Sequence, residues 1–305
     1  MLKYIVKRMA FALLTVFLVA TMTFFLMNMV PGGPFSADKA VSQAALDALN
    51  QKYGLDKPLS VQYKNYMLKA VQGDLGVSLR QRGRTVSSII ATKFPVSARV
   101  GGISILVALA LGIPLGCLAA LNRGKALDNI IIVIATCGIA VPSFVICTIL
   151  MYIFGYNLGW LPVVGLTSWK HYVMPVMALS FYPTAYIARL MRSSMLDVLG
   201  QDYMRTARAK GLSQTKRLFK HALRNAILPV VTYVGPLVAY TMTGSFVVEK
   251  IFTIPGLGGE FVGSILNRDY TVIMGTTIFL AALVIFMNVV VDLVYKLVDP
   301  RIQLK

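Results

Sequence analysis

The sequence is poor in the residues that build most catalytic and metal sites. It contains three cysteines and two histidines in 305 residues. Cys117, Cys137 and Cys147 all lie within apolar runs, and neither histidine is near Cys, Asp or Glu at ligand spacing. An odd number of cysteines without a C-x-x-C pair indicates neither a disulfide framework nor a metal site. We therefore predict no metal, and three small buried cysteine side chains.

Charged residues are also scarce, at 14% of the chain, whereas hydrophobic residues make up 57%. This balance excludes an ordinary soluble domain. Basic residues outnumber acidic ones by 30 to 12, which gives a net charge of +18. Such a charge in a soluble protein would suggest a nucleic-acid partner. In a membrane protein, basic residues collect on the cytoplasmic side, so we predict a lipid bilayer and no nucleic acid.

Catalytic motifs are missing as well. The sequence has no H-E-x-x-H, no G-x-S-x-G and no paired carboxylates within its apolar runs. It has no P-loop either, because Gly124-Lys125 is followed by alanine and lacks the upstream glycine. We predict that the chain is not an enzyme, has no catalytic residues and binds no cofactor itself.

Carboxylates deep in the membrane would indicate an ion-coupled transporter. Glu249 and Asp292 lie instead near the ends of apolar runs. Structural pairing is the favoured interpretation of both, and an ion-coupled secondary transporter remains the rival from a different class.

Six apolar runs have the ~20 residues that a transmembrane helix needs. The predicted spans are 9–30, 100–121, 130–154, 173–190, 227–248 and 271–294. The first run is longer than the roughly 7–15 residues of a signal-peptide core, so we interpret it as a retained span. The predicted fold class is an all-α polytopic membrane protein with six transmembrane helices. Because the basic residues then lie mainly on one side, both termini are predicted to be cytoplasmic.

The predicted organisation has three parts. Residues 1–30 form the cytoplasmic N-terminus and first helix, 31–97 form an extracytoplasmic region, and 98–305 form a core of five further membrane helices. Within the core, Gly138 and Pro142 predict a kink, and the G-x-x-x-G spacing at 112–116 predicts close helix packing. Residues 123–128 and 249–270 are predicted to be short loops.

The segment 202–229 is strongly basic and lies between the fourth and fifth runs. Its single glycine, Gly211, can take the left-handed conformation that ends one helix and turns the chain into the next. Ser213 can then cap the second helix. An amphipathic apolar pattern follows in Leu218, Phe219, Ala222, Leu223 and Ala226. We predict a helix–turn–helix with one apolar and one cationic face, suited to docking a cytoplasmic partner.

These residues resemble the cytoplasmic loop of the membrane subunits of ABC importers. That loop reads Glu-Ala-Ala, three residues, Gly, then a spacer to Ile-x-Leu-Pro. Gly211 matches its glycine and Leu228-Pro229 match its Leu-Pro, whereas Arg205-Thr206-Ala207 replace Glu-Ala-Ala and Ala226 replaces the isoleucine. The run R-T-A-R-A-K-G-L at 205–212 resembles the dipeptide, oligopeptide and nickel branch of the family, and is most similar to the first of the two membrane subunits of oligopeptide permeases. Other similar segments are 31–35, 53–58, 73–76, 94–97, 141–144, 221–229, 255–258 and 267–270.

The resemblance implies a type I ABC importer permease fold in a bacterial cytoplasmic membrane. It implies a heterodimer with a second homologous permease subunit, two cytoplasmic ABC ATPases that carry ATP and Mg²⁺, and an extracytoplasmic peptide-binding protein. The implied cargo is oligopeptides, with dipeptides, nickel or another small solute as alternatives.

The resemblance also implies site residues. A cytoplasmic coupling segment at 192–226 would contact an ATPase through Arg205, Thr206, Ala207, Arg208, Ala209, Lys210, Gly211, Leu212, Ser213 and Arg224. Kinked, small-residue regions make Ser143, Tyr182, Thr184 and Pro236 candidates for the translocation path, with helix packing as the alternative explanation.

Overall fold

The computed structural model describes residues 2–30, 33–35, 43–242 and 244–298. Helices account for most of these residues. In chain order they are α1 (Leu2–Met29), α2 (Gln43–Tyr53), α3 (Leu59–Val71), α4 (Val86–Leu121), α5 (Ala126–Ala140), α6 (Ser143–Leu150), α7 (Lys170–Leu199), α8 (Asp202–Ala209), α9 (Gln214–Lys216), α10 (Leu223–Ala226), α11 (Leu228–Met242), α12 (Phe246–Ile251), α13 (Leu257–Leu266) and α14 (Tyr270–Val298). Two π-helical stretches, Met151–Asn157 and Arg217–Ala222, follow α6 and α9.

Among the described residues, four helical segments are long and apolar enough to cross a membrane. They are Arg8–Met29, Val86–Leu121, Leu228–Ile251 and Tyr270–Val290. The bent pair 126–140 and 143–157 gives a fifth if it counts as one span. The predicted fourth span lies in α7, which has 30 residues. Its tyrosines, serines and prolines lower its hydropathy, and α7 is not among these segments.

The chain divides into two compact units. The first contains residues 1–96 and 256–285, and the second contains residues 97–255 and 286–305. Residues 256–285 were predicted to belong with 98–305. In the structure they group with the N-terminal third of the chain.

The first unit has two apolar clusters. Val86 and Ile89 at the start of α4 pack with Leu257 of α13 and Val272 of α14. These contacts, together with a Thr85 hydroxyl that accepts from the Ser88 N–H at 3.2 Å, explain why α4 begins well before the predicted 100. In the second cluster, Phe24 and Met27 of α1 pack with Ile273 and Met274 of α14.

Within this unit, Asp269 holds the loop before α4 in place through hydrogen bonds. Its buried carboxylate accepts hydrogen bonds from the Ser78 hydroxyl and from the backbone N–H of Leu79 at 3.1 Å and Arg80 at 3.3 Å. It also accepts from the Val272 N–H in the first turn of α14. One carboxylate thus caps a helix and holds a loop from a distant part of the chain.

The second unit is built around α7, which packs against α5, α6, α10, α11 and α12. Glycines let its neighbours approach closely. A Cβ at Gly116 of α4 would lie 2.5 Å from the Ala188 carbonyl oxygen, and one at Gly138 of α5 would lie 2.9 Å from the Ala185 Cβ. The predicted close packing at the G-x-x-x-G motif is confirmed.

The predicted kink near Pro142 is a full break. Val141 and Pro142 are extended, and the axes of α5 and of the helical stretch 143–157 differ in direction by 105°. Proline lacks the N–H that would continue the helix, and it disfavours helical geometry in the residue before it.

The predicted fifth span and the loop after it also differ from expectation. The span consists of α11 and α12, which are separate helices. The predicted loop 249–270 contains the end of α12 and all of α13. The buried Glu249 of α12 accepts a hydrogen bond from the Ser97 hydroxyl at 2.6 Å, consistent with structural pairing.

Candidate functional site

The turn after α8 has the geometry that its glycine predicts. Gly211 has φ +72°, and the Leu212 N–H donates to the Ala207 carbonyl at 3.3 Å while the Gly211 N–H donates to the Arg208 carbonyl at 3.0 Å. This pair of bonds is a Schellman motif, which satisfies the last carbonyls of a helix. A Cβ placed on Gly211 would have no atom within 4 Å. Backbone conformation, and not lack of space, is therefore the reason for glycine here.

The second half of the turn begins a new helix at Ser213. The Ser213 hydroxyl accepts a long hydrogen bond from the Lys216 N–H at 3.5 Å, and its carbonyl accepts from the Arg217 N–H at 3.0 Å. The π-helical stretch then interrupts the α-helical repeat. Phe219, predicted on the apolar face, is consequently 68% exposed, so that part of the prediction is wrong.

The fully buried side chains on the inward face of the segment are small ones and a methionine, and the half-buried Leu218 and Leu223 pack against them. Met204 and Ala207 of α8, with Ala222 and Ala226, are buried in one cluster that includes Met195 at the end of α7. Buried alanines allow the backbones of α8 and α10 to come close to the neighbouring helices. The segment is thus packed onto α7 through α10 and the π-helical stretch before it.

The outward face is cationic. Its exposed basic side chains are Arg205, Arg208, Lys210, Lys216, Lys220 and Arg224. Asp202, the one acidic residue in 202–226, makes an exposed ion pair with Arg205 at 3.6 Å, which contributes little stability. The Asn225 amide donates to the Tyr203 hydroxyl at 2.9 Å and links α8 to α10. Such a face is complementary to an acidic partner.

The remaining predicted coupling residues support the turn itself. The Thr206 hydroxyl donates to the Asp202 carbonyl at 3.1 Å, within α8. Ala209 is exposed and Leu212 is half-buried. The segment's own helices begin at Asp202, because residues 192–199 continue α7.

Two of the four path candidates lie near a cluster of tyrosines. Tyr182 stacks on Tyr186 one turn along α7, with ring centroids 6.2 Å apart, and Tyr186 lies 4.3 Å from the ring of Tyr233 on α11. Pro236 is exposed, close to one turn beyond Tyr233. Tyr186 and Tyr233 had no signal in the sequence beyond their aromatic character.

The other two candidates are not brought into this cluster by any described contact. Thr184 donates its hydroxyl to the Ser180 carbonyl at 2.7 Å, and its own carbonyl would lie 3.0 Å from a Cβ at Gly112. Helix packing accounts for Thr184. Ser143 is exposed at the first position of α6, directly after the break.

An ion pair near the coupling segment involves Asp128, which was predicted to lie in a loop. Asp128 lies in the first turn of α5 and is 1% exposed. Arg192 of α7 donates to it through Nε at 2.5 Å and Nη2 at 2.7 Å, and the Gly124 N–H donates at 2.9 Å. The bidentate geometry fixes the start of α5 against α7. The sequence feature that could have indicated this ion pair is the position of Asp128 as a lone acidic residue at the start of an apolar run.

Known protein families match nearly the whole chain. The family described as binding-protein-dependent transport system inner membrane component matches residues 112–304, and the N-terminal model of that component matches residues 1–100. The chain belongs to this family. Its apolar helices agree with an integral inner membrane protein.

Relatives of this permease are similar over their full length. The dipeptide transport system permease protein DppB of Bacillus subtilis is 46% identical over 304 residues, covering 100% of this chain and 99% of the relative. The oligopeptide transport system permease protein OppB of Haemophilus influenzae is 41% identical over 305 residues, covering 99% and 100%. The family prediction made from the sequence is confirmed.

Solved structures share the permease fold at low identity. A chain of the MetNI methionine ABC transporter has a TM-score of 0.58 at 17% identity, covering 69% of this chain and 96% of that one. A chain of an amino acid ABC transporter crystallised with histidines has a TM-score of 0.52 at 15% identity, covering 71% and 95%.

In the described part of the permease, no three His, Cys, Asp or Glu residues form a group that could hold a metal ion.

Proposed function

We propose that this permease is one of two membrane subunits of an ATP-driven ABC importer and forms half of its translocation path for oligopeptides. The observation that carries the proposal is the cationic helix–turn–helix packed onto α7, in a chain similar over its full length to peptide permeases. Relatives named for dipeptides and for oligopeptides have comparable identity, so dipeptides are the alternative cargo.

We propose six membrane spans with both termini in the cytoplasm, as in a type I importer permease. The bent pair α5–α6 supplies the third span and α7 the fourth. With 30 residues, α7 is about 45 Å long, enough to cross a hydrocarbon core of about 30 Å. Its lower hydropathy fits a helix with protein on several sides, because such a helix needs less apolar surface facing lipid.

The proposed partners follow from what the chain contains. Without a P-loop, it depends on two ABC ATPases for ATP and Mg²⁺. A second homologous permease subunit completes the path. The extracytoplasmic region 31–97 is proposed to contact a peptide-binding protein, because it is the longest polar segment between spans. The host membrane is the cytoplasmic membrane of a bacterium.

The packing supports a route by which the ATPases would move the spans. Residues 205–213 and Arg224 would dock on an ATPase, and the inward face of the segment would transmit its displacement to α7. From α7, the close contacts at Gly116 and Gly138 and the Asp128–Arg192 pair would carry the motion to α4 and α5. Rigid packed elements of this kind move as units.

The test is purification of the tagged permease from its native host, followed by transport in proteoliposomes. We expect two P-loop ATPases and a second permease to co-purify, and uptake of labelled peptides to require ATP and the binding protein. A series from dipeptides to longer peptides identifies the cargo. A chain that purifies alone and transports with a proton gradient but without ATP would establish the ion-coupled rival instead.

A further inference from the structure

The first unit contains a cavity of about 690 Å³. Its wall is formed by the last turns of α1, by α2 and α3 with their connection, by residues 74–79 and by the first turns of α14. The volume lies in the ~300–1,000 Å³ range typical of small-molecule sites. None of the coupling-segment or path residues described above lines this cavity.

The cavity changes from apolar to cationic along its wall. Phe24 and Met27 of α1 and Met274 of α14 form an apolar part, and both helices are long and apolar enough to cross a membrane. Lys52 and Lys69, on α2 and α3, contribute basic side chains, as does Lys57 between these helices. The cavity thus reaches from membrane-spanning residues to residues of a polar region.

Two further wall residues bear on the ligand. Asp74 is the acidic member of the wall, and one of its carboxylate oxygens accepts a hydrogen bond from the Gly76 N–H at 2.8 Å. The Tyr66 hydroxyl is enclosed and has no hydrogen-bond partner in the described part of the chain. Burial, and secondarily the nearby Asp74, raise the pKa of Tyr66, so its hydroxyl stays a protonated donor. A ligand with an acceptor oxygen in the cavity would give this hydroxyl the hydrogen-bond partner that it lacks.

The charge of the region that forms most of the cavity wall is also unusual. Residues 35–97 have nine Lys or Arg against four Asp, although the region is assigned to the side of the membrane that basic residues usually avoid. Lys52, Lys57 and Lys69 of this group line the cavity, and recognition of an anionic ligand gives these three charges a role that topology does not.

We propose that this cavity binds one anionic phospholipid. Its phosphodiester lies among Lys52, Lys57 and Lys69, and the upper part of an acyl chain lies against Phe24, Met27 and Met274. A soluble anion would use the lysines alone, whereas a lipid would also contact the apolar side chains that line the cavity. Lysine near an anionic lipid surface contributes about a fivefold preference per residue.

The test uses the full-length chain in nanodiscs with equal phosphatidylglycerol and phosphatidylcholine. After mild delipidation, native mass spectrometry counts the lipid of each kind that stays bound. Wild type is expected to retain one phosphatidylglycerol. In the double variant Lys52→Gln/Lys69→Gln the preference for it should fall about thirtyfold. The matched control Lys64→Gln/Arg82→Gln removes the same charge from exposed residues outside the cavity and should retain it.

A second variant keeps the charge constant and protects the test against misfolding of the first. Tyr66→Phe should weaken retention roughly tenfold if the hydroxyl bonds to a phosphate oxygen. Glycerol 1-phosphate, added as a competitor, tests whether the headgroup alone is enough for binding. It is expected to displace no phosphatidylglycerol. Equal loss in both double variants, or displacement of the lipid by glycerol 1-phosphate, would overturn the proposal.

Discussion

Replacing Gly211 tests whether the turn of the coupling segment must keep its shape for transport. Because a Cβ at this position meets no atom of this chain within 4 Å, an alanine there adds no clash within the permease. Within the chain the substitution acts on the backbone, where φ +72° lies in the region that side chains disfavour.

The magnitude follows from this geometry. A residue with a Cβ pays roughly 1–2 kcal/mol in the left-handed region, which shifts a two-state equilibrium about 5–30-fold. Asparagine visits this region more readily than other residues, and β-branched valine is the least tolerant. We expect the peptide transported per ATP hydrolysed to decrease in the order Gly, Asn, Ala, Val, with Gly211→Ala near fivefold and Gly211→Val near thirtyfold below wild type.

The assay measures ATP hydrolysis and peptide uptake on the same proteoliposomes. Gly159 is the matched control, since it has φ +61° and equally open surroundings but lies outside the coupling segment. Gly159→Val should leave the ratio of uptake to hydrolysis unchanged. An unchanged ratio in Gly211→Val, or an equal loss in both variants, would show that the conformation of this turn does not couple the two activities.

Three further predictions use the packing and the proposed topology. Gly116→Ala should destabilise the purified complex by about 1–3 kcal/mol, seen as a lower melting temperature, whereas Gly102→Ala on the same helix, with no atom within 4 Å, should not; equal melting would contradict the close contact. Arg192→Met should lower the stability of the complex by about 3–5 kcal/mol, because it leaves the buried Asp128 carboxylate without its cationic partner. Asp128→Asn should lower it less, because the Arg192 side chain is 27% exposed and can be hydrated. The reverse order of melting temperatures would refute this. A reporter fused after Lys305 should read as cytoplasmic, and an external signal would overturn the topology.

Local patterns in the sequence predicted the parts of the fold that depend on local physics. The turn at Gly211 and the kink at Pro142 each follow from a conformational preference within one segment. Family resemblance then added the fold and the position of the coupling segment.

Features that depend on distant partners were not predictable in the same way. The early start of α4 needs Leu257 and Val272 beside Val86, and no local pattern places these together. Asp128 looked like a loop residue because its partner, Arg192, is far along the chain. Phe219 fitted an α-helical repeat that the π-helical stretch interrupts. Of the path candidates, the sequence indicated Tyr182 but not its contact with Tyr186, which depends on rotamers.

The unbroken end of α7 has a consequence for how the length of this chain can change. Between Met191 and the end of the helix at Leu199 there is no proline, and α8 starts three residues later. One residue inserted there would rotate everything beyond it by about 100° and advance it by about 1.5 Å. The cationic face would then point away from the direction that it has now. Insertions of seven residues, close to two whole turns, nearly restore the original direction, so the spacing between this span and the coupling segment is fixed in phase rather than in length alone.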